Sequence, residues 1–389
     1  MKLLRTLSTT RLIALAVVIV VVLAGGAVAV AARGGGGATP PPKPLADAIH
    51  DALAANEPAG ITARIPFTNK LFPSGALTGQ AGSALMTGAT GRLWASAKGG
   101  RLELQSDAGD VQVTWNDTKV TVYDASSNTA YVADLPKQTK PDTGTSTPPA
   151  LADITTFLTD LGKHWTVSGA EPTNTAGQPS YTVRISPSHD GGLLGSAELA
   201  WDAVHGVPLR VAVYAQGASA PALALEATDI SFGAVSDSNI DVTPPAGTKV
   251  VDVSTQSGTS GSGKDGAPVT GLAAVQAAAP FTVVAPDTLV GLPLQDVRLV
   301  GPADSKTVVV VYGQGLGAIA VIERAQDTAA KSNGGALDAL PSISLDGVTA
   351  HELSTQLGTV LSWDRTGVSF VLAGSVPTAA AESAARALK

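Results

Sequence analysis

The 389-residue chain has no cysteine. That absence removes disulfides, a thiol nucleophile, thiolate-held zinc, iron–sulfur clusters and the lipidated cysteine of an acyl anchor. Charge is sparse: Asp, Glu, Lys and Arg make up 15% of residues, against roughly 25% in an average globular chain. The five histidines (His50, His164, His189, His205, His351) are dispersed, with no H-E-x-x-H and no pair at ligand spacing on one helix face. G-x-S-x-G is missing as well, and Ser196 merely leads a strand. Apolar residues are plentiful at 44%, which excludes wholesale disorder, and the length suits two domains of roughly 150 residues each.

An uncharged apolar run extends from Leu12 to Ala32, with Lys2, Arg5 and Arg11 before it and Arg33 after it. At about 1.5 Å per residue a helix there reaches about 31 Å, the thickness of a hydrocarbon core. The cations that precede it place the N-terminus in the cytoplasm and everything after Arg33 outside. The run exceeds the 7–15 residues typical of a signal-peptide core, so a retained single-pass anchor is favoured over cleavage near the AVA at Ala27–Ala29, which would yield a secreted protein. Setting the four cations aside leaves 21 basic against 32 acidic residues, a net charge of −11. No Lys/Arg cluster is available to neutralise phosphates, so no nucleic-acid partner is expected.

Three Gly/Pro/Ser/Thr-rich stretches punctuate the rest: 34–44, 137–149 and 254–268. The first reads as a stalk, the second as a loop insertion and the third as a linker between a domain at 45–253 and one at 269–389. PLADAIHDALAAN and TPPALADITTFLTDLGKH carry apolar residues at helical spacing, with Thr147 as the expected N-cap of the second. From residue 92 the period becomes two: RLELQ, VQVTW, KVTVYD, TAYVADLP, then YTVRIS, SAELAWD, PLRVAVYA and LALEATDISF. These are antiparallel strands with one face to bury, and the two helices supply apolar stripes to cover it. The fold class is α+β: a membrane helix, a curved sheet wrapped over helices, then a small α+β domain. That last domain is expected to contain TGLAAVQAAAP as a helix, FTVVAP among its strands and a terminal helix from about Thr378 to Leu388.

Candidate chemistry is thin. TVVVVYGQGLGAIAV satisfies G-x-G-x-x-G/A through Gly313, Gly315 and Ala318, but the sequel AIAVIERA has strand period, so a hairpin turn is expected instead of a phosphate cradle. The carboxylate pairs Asp107/Asp110, Asp124/Asp134 and Asp237/Asp241 fall at turns, where Asp serves the backbone. No catalytic constellation, metal site or cofactor is expected.

In WDAVHGVPLRVAVYAQG, residues 201–217, an Asp ends one strand and, after a short turn, Val-Pro-Leu-Arg opens the next. The pattern resembles the Asp…Gly-x-Pro-Leu-Arg hairpin of the LolA-like superfamily, which contains lipoprotein carriers and periplasmic regulators of anti-sigma factors. ALMTGATGRLWASAKGGRLELQ, VTWNDTKVTVYDASSNTAYVADLP, the helix after TPPALAD, GQPSYTVRISP and VTPPAGTKV follow the order of actinobacterial membrane-anchored LolA-like proteins over about 45–253. From PFTVVAPDTLVGLPL to LSWDRTGVSFVLAGSVP the second domain is similar, more loosely, to the C-terminal domain of the anti-sigma regulators.

The resemblance implies an incomplete β-barrel with helices plugging its concave face and a hydrophobic cavity for acyl chains. Asp202, Pro208, Leu209 and Arg210 match the hairpin and read as structural. The candidate cavity wall is Leu102, Leu104, Val111, Val113, Trp115, Val120 and Val122, with Leu151, Ile154 and Leu158 from the plug; the same residues also suit a plain packed core. The expected function is a non-enzymatic, membrane-tethered extracytoplasmic protein that holds or hands over a lipid or lipidated protein. The alternative is an envelope sensor or regulator whose second domain binds another membrane protein, such as an anti-sigma factor.

Overall fold

A computed structural model describes residues 37–71, 84, 88–135, 148–188, 192–253, 269–301, 306–326, 337 and 340–389. The apolar run at 12–32, the linker at 254–268 and Thr147 lie outside the described residues. Among the described residues no helix is long and apolar enough to cross a membrane. Two compact units divide between Thr259 and Ser260 along the main course of the chain.

The first unit opens with α1 (Leu45–Ala54), followed by β1 (Gly60–Arg64), β2 (Phe67–Asn69), β3 (Thr90–Ser96), β4 (Gly99–Ser106), β5 (Gly109–Trp115), β6 (Lys119–Asp124) and β7 (Thr129–Asp134). After α2 (Leu151–Leu161) come β8 (Trp165–Val167), β9 (Glu171–Thr175), β10 (Gln178–Pro187), β11 (Leu194–Asp202), β12 (Pro208–Ala215), β13 (Leu223–Glu226), β14 (Asp229–Phe232) and β15 (Lys249–Asp252). One sheet runs β14-β1-β3-β4-β5-β6-β7-β15, the other β2-β13-β12-β11-β10-β8 with β9 beside β10. Pairing is antiparallel except at β15, which lies parallel to β7.

Two chain passages cross from sheet to sheet. LALEATDISF, expected as a single strand, is two: β13 pairs β12 and β2, and after Ala227 and Thr228 the chain continues as β14 on β1. Residues 60–69 do the same in reverse, β1 giving way to β2 at Ile65 and Pro66. Backbone bonds keep both crossings paired: Ile65 N–H to Gly91 O at 2.8 Å, Ala227 N–H to Leu209 O at 2.7 Å and Thr228 N–H to Arg64 O at 2.9 Å. Gly91 permits the bend, since a Cβ there would lie 2.4 Å from the Ile65 carbonyl oxygen. The result is an open, folded-over sheet.

Helix α1 starts after Pro44 and lays Leu45, Ala48 and Ala52 on Tyr181, Val183, Leu199 and Trp201 of β10 and β11. Helix α2 lies against α1, where His50 Nδ1 stands 3.1 Å from the Pro149 carbonyl oxygen. Its N-cap position is Ala150, with no side-chain capping bond.

The second unit contains β16 (Val269–Thr270), α3 (Leu272–Ala278), β17 (Thr288–Leu289), β18 (Leu292–Val300), β19 (Thr307–Tyr312), β20 (Ile319–Ala325), β21 (Ser342–Leu345), β22 (Val348–Thr355), β23 (Gly358–Arg365), β24 (Val368–Gly374) and α4 (Thr378–Ala387). Its sheet runs β16-β18-β19-β20-β24-β23-β22-β21. The glycines at 313–317 form the hairpin turn between β19 and β20, with a short 3₁₀ segment at Gly315–Gly317. FTVVAP, expected as a strand, belongs to no ladder: Val283 is buried and the Val284 N–H donates to Glu323 Oε2 at 3.0 Å. The core gathers Val275 of α3 and Ala381, Ala384 and Ala385 of α4 over Val310, Val321, Phe370 and Leu372.

Glu323 is wholly buried in that core, paired in register with Val308 on one side and Phe370 on the other. Its Oε1 has no hydrogen-bond partner among the described residues. Burial pushes its pKa up to about 7, against the opposing pull of the Val284 N–H. A carboxyl whose folded pKa exceeds its unfolded value of about 4.3 binds its proton more tightly when folded. Its contribution to stability is therefore greatest below about pH 4.3 and is lost as pH rises through about 7, a change of about 4 kcal/mol. Glu323→Gln should abolish that slope and stabilise the second unit at pH 7.5, measured by amide hydrogen exchange of β19, β20 and β24 at pH 5 and pH 7.5.

Candidate functional site

Between the two sheets of the first unit lies an apolar cavity. One wall carries Ile61 and Ala63 of β1, Leu93 and Ala95 of β3, Leu102, Trp115 and Ile230. The other carries Val207, Leu209 and Val211, then Leu225 after the β12–β13 turn. Leu209 and Val211 alternate along β12 with Arg210, Ala212 and Tyr214, and Arg210 and Glu226 also border the space. Space remains because Gly60, Ala63, Ala95, Ala97 and Ala227 contribute little volume to the lining. The cavity measures about 130 Å³, close to the roughly 150 Å³ of an engineered apolar cavity that stays dry and takes up benzene.

Of the candidate wall residues, Leu102 and Trp115 line this cavity. Leu104, Val111 and Val113 are buried in the same sheet, and Val120 and Val122 are half-buried, but none of these five lines it. On α2, Ile154 is buried, Leu158 half-buried and Leu151 exposed. No described residue of α1 or α2 lines the cavity; the space is sheet against sheet, while α1 covers β10 and β11 and α2 lies against α1.

The hairpin residues divide their labour. Asp202 is buried, and its Oδ1 accepts the N–H of Val204 at 3.1 Å and of His205 at 2.5 Å, with His205 Nδ1 at 2.8 Å. Backbone bonds Asp202 N–H to Val207 O and Gly206 N–H to Asp202 O close the turn. Pro208 starts β12 and Leu209 faces the cavity.

Arg210 is the centre of a buried ionic network at the cavity's edge. Its Nε donates to Glu226 Oε2 at 2.9 Å, Nη1 to Glu198 Oε1 at 2.5 Å and Nη2 to the Tyr214 hydroxyl at 2.9 Å. Arg184, in register with Glu198, donates to that carboxylate at 2.8 Å and stands 4.8 Å from the Tyr214 ring. Burial opposes the Arg210 charge, yet the Tyr214 hydroxyl and the carboxylates of Glu198 and Glu226 outweigh it and raise its pKa. Burial also pushes the Glu226 carboxyl up, with Arg210 pulling it back down. Two arginines face two glutamates, so the network is neutral and internally satisfied. Sequence reading had the hairpin arginine but not its partners; the signal was available in SAELAWD and LALEATD, where a glutamate interrupts apolar alternation.

Beyond Trp115, at the end of the sheet, a polar groove of about 410 Å³ is lined by Lys98, Asn116, Lys119, Asp237 and Asp241 among others. Lys98 Nζ and Asp237 Oδ2 are 2.5 Å apart across its rim, both well exposed. Among the described residues no three His, Asp or Glu side chains gather as metal ligands.

Neither a protein-family model nor a curated protein matches the sequence. Solved structures similar to the chain include MucB in complex with MucA(peri), at 14% identity, TM-score 0.42, covering 89% of this chain and 96% of that one. The MucA/MucB complex of Pseudomonas aeruginosa gives 14% identity and TM-score 0.42 over 88% and 94%. An uncharacterized conserved protein from Thermus thermophilus gives 11% and 0.32 over 54% and 96%. Likeness at this level fixes neither family nor ligand.

Removing the arginine from the network would leave the buried Glu226 carboxylate uncompensated and Glu198 paired with the half-exposed Arg184 alone. Arg210→Met is expected to destabilise the first unit by about 3–5 kcal/mol, whereas adding Glu226→Leu and Glu198→Leu should recover most of the loss, because an apolar replacement of a whole buried ionic group is close to neutral. Urea denaturation of the single and triple variants checks both.

Proposed function

We propose that the first unit binds the apolar part of an amphiphile, the acyl chain of a lipid or of a lipidated protein, and does so without chemical change. The observation that carries this reading is the apolar cavity held open between the two sheets. A packed core would have filled that space, at a gain of about 0.8 kcal/mol per buried methylene. The same gain is available to a ligand's methylenes, and it needs no catalytic residue. The sequence resemblance to LolA-like proteins supports the same reading. At this size the cavity accommodates a short length of chain, with the remainder of the ligand emerging.

In this reading residues 12–32 tether the protein to the cell membrane with both units outside the cytoplasm. A tethered protein hands its ligand to a neighbour and does not shuttle it. The cavity is built wholly from the first unit. That leaves the second unit available for contact with another membrane protein, the role that the resemblance of its sequence to the anti-sigma regulators suggests.

Ala63→Leu places extra methylenes directly in the cavity. It should lower affinity for a fluorescent short-chain acyl probe at least tenfold while leaving the melting temperature within a few degrees. Leu372→Ala, a large-to-small change in the second unit's core, should cost about 2–5 kcal/mol of stability and leave probe binding intact. Equal loss in both variants would mean that the probe reports foldedness and that the cavity is not the site.

A further inference from the structure

Trp115 belongs to two spaces at once, forming part of the wall of the apolar cavity and part of the lining of the polar groove. It is 6% exposed, and its indole N–H has no hydrogen-bond partner among the described residues. A buried indole N–H ordinarily finds an acceptor, and leaving one unmade is costly. Trp201 and Trp363 share the deficit, but neither lines the cavity or the groove. The indole is seated by close approach of the neighbouring strand: a Cβ at Gly100 would lie 2.2 Å from Trp115 Cζ2. Any larger residue at position 100 would displace the ring from the boundary between the two spaces.

The groove on the far side is mixed and balanced in charge, with Lys98 and Lys119, Asp237 and Asp241 beside Ile240, Val242 and Pro244. The Lys98–Asp237 pair across its rim is largely solvated, so it adds little and opens readily. Such a surface suits an uncharged, hydrogen-bonding group better than a strongly anionic one, which would meet two carboxylates. The apolar cavity and the groove therefore share Trp115 as a common wall, and its buried N–H is an unmet donor at that wall.

We infer that the ligand is an acyl amphiphile whose ester or amide carbonyl accepts the Trp115 N–H, with its chain in the cavity and its polar end in the groove. The inference rests on the proposed acyl-binding reading and adds to it the linkage chemistry and the orientation. A hydrocarbon chain alone, or an ether-linked one, offers the indole no carbonyl.

The test is a ligand-by-variant cycle on the full chain, using octanoyl glycerol, octyl glycerol ether and an N-octanoyl dipeptide amide, with wild type and Trp115→Phe compared by titration calorimetry. The phenyl ring keeps an aromatic, apolar wall and removes the donor together with part of the ring, so the ether ligand serves as the control for lost packing. Wild type should bind an acyl ligand about three- to tenfold more tightly than the ether, the increment of one neutral hydrogen bond, and Trp115→Phe should erase that preference while holding the ether within about twofold. Whichever of acyl glycerol and acyl dipeptide shows the larger Trp115-dependent gain identifies the source as lipid or lipidated protein. Equal binding of ether and acyl ligands by wild type, or equal loss of all three in the variant, overturns the carbonyl assignment and leaves the acyl-binding reading standing. Failure of wild type to bind any of the three overturns both.

Discussion

The first unit is organised by the requirement that two stretches of chain serve two sheets. Residues 60–69 and 223–232 each spend a few residues in one ladder, turn through a two-residue step and join the other. Each step places backbone groups where an open edge would otherwise leave them unpaired, and the bonds from Ile65, Ala227 and Thr228 satisfy them. Because the two crossings lie side by side, the sheets are hinged along one seam and diverge away from it. Side chains at the seam pack together, as Ala63, Ile65, Leu209, Ala227 and Ile230 do, and these same residues line the cavity. The cavity is the space they leave, widened by alanine and glycine where larger residues would have filled it.

The seam also explains the ionic network. Arg210 pairs in register with Glu226, one residue from the crossing at Ala227. Both residues border the cavity, so its mostly apolar lining is edged there by the ionic cluster. A neutral, hydrogen-bonded cluster contributes modestly to stability at best, but it disfavours register shifts, since a one-residue slip of β12 would part Arg210 from Glu226 and turn Leu209 to the opposite face. The hairpin that first suggested a family resemblance thus fixes the register of the cavity wall.

Much of this was legible in sequence. Helical spacing gave α1 and α2, period two gave the long hairpins, and the strand-like sequel to Gly313 and Gly315 gave the turn there. Alternation placed Leu102, Leu104, Val111, Val113, Trp115, Val120 and Val122 on one face of the sheet, but of these only Leu102 and Trp115 border the space between the sheets. The rest depended on tertiary geometry. β1 and β2 are short, carry Pro66 between them and show little alternation, while LALEATDISF alternates smoothly across a change of sheet. The cavity is marked by small residues, Gly60, Ala63, Ala95 and Ala227, and small residues signal space only after the opposing wall is placed. Leu151, Ile154 and Leu158 form a helical stripe, but helical spacing does not say whether the stripe meets a sheet or, as here, a neighbouring helix. Glu323 was invisible for a related reason: a glutamate in AIAVIERA looks like a solvent-facing position until its partners Val308 and Phe370 enclose it.

The central claim is that the space between the sheets is a binding site and not a packing defect. Native mass spectrometry of the full chain purified from its own host, followed by organic extraction and identification of what is released, tests it most directly. A binding site should hold one acyl-bearing species at a stoichiometry near one per chain, lost on extraction and regained on incubation with envelope lipids. A protein that is empty on purification and stays empty after that incubation would contradict it.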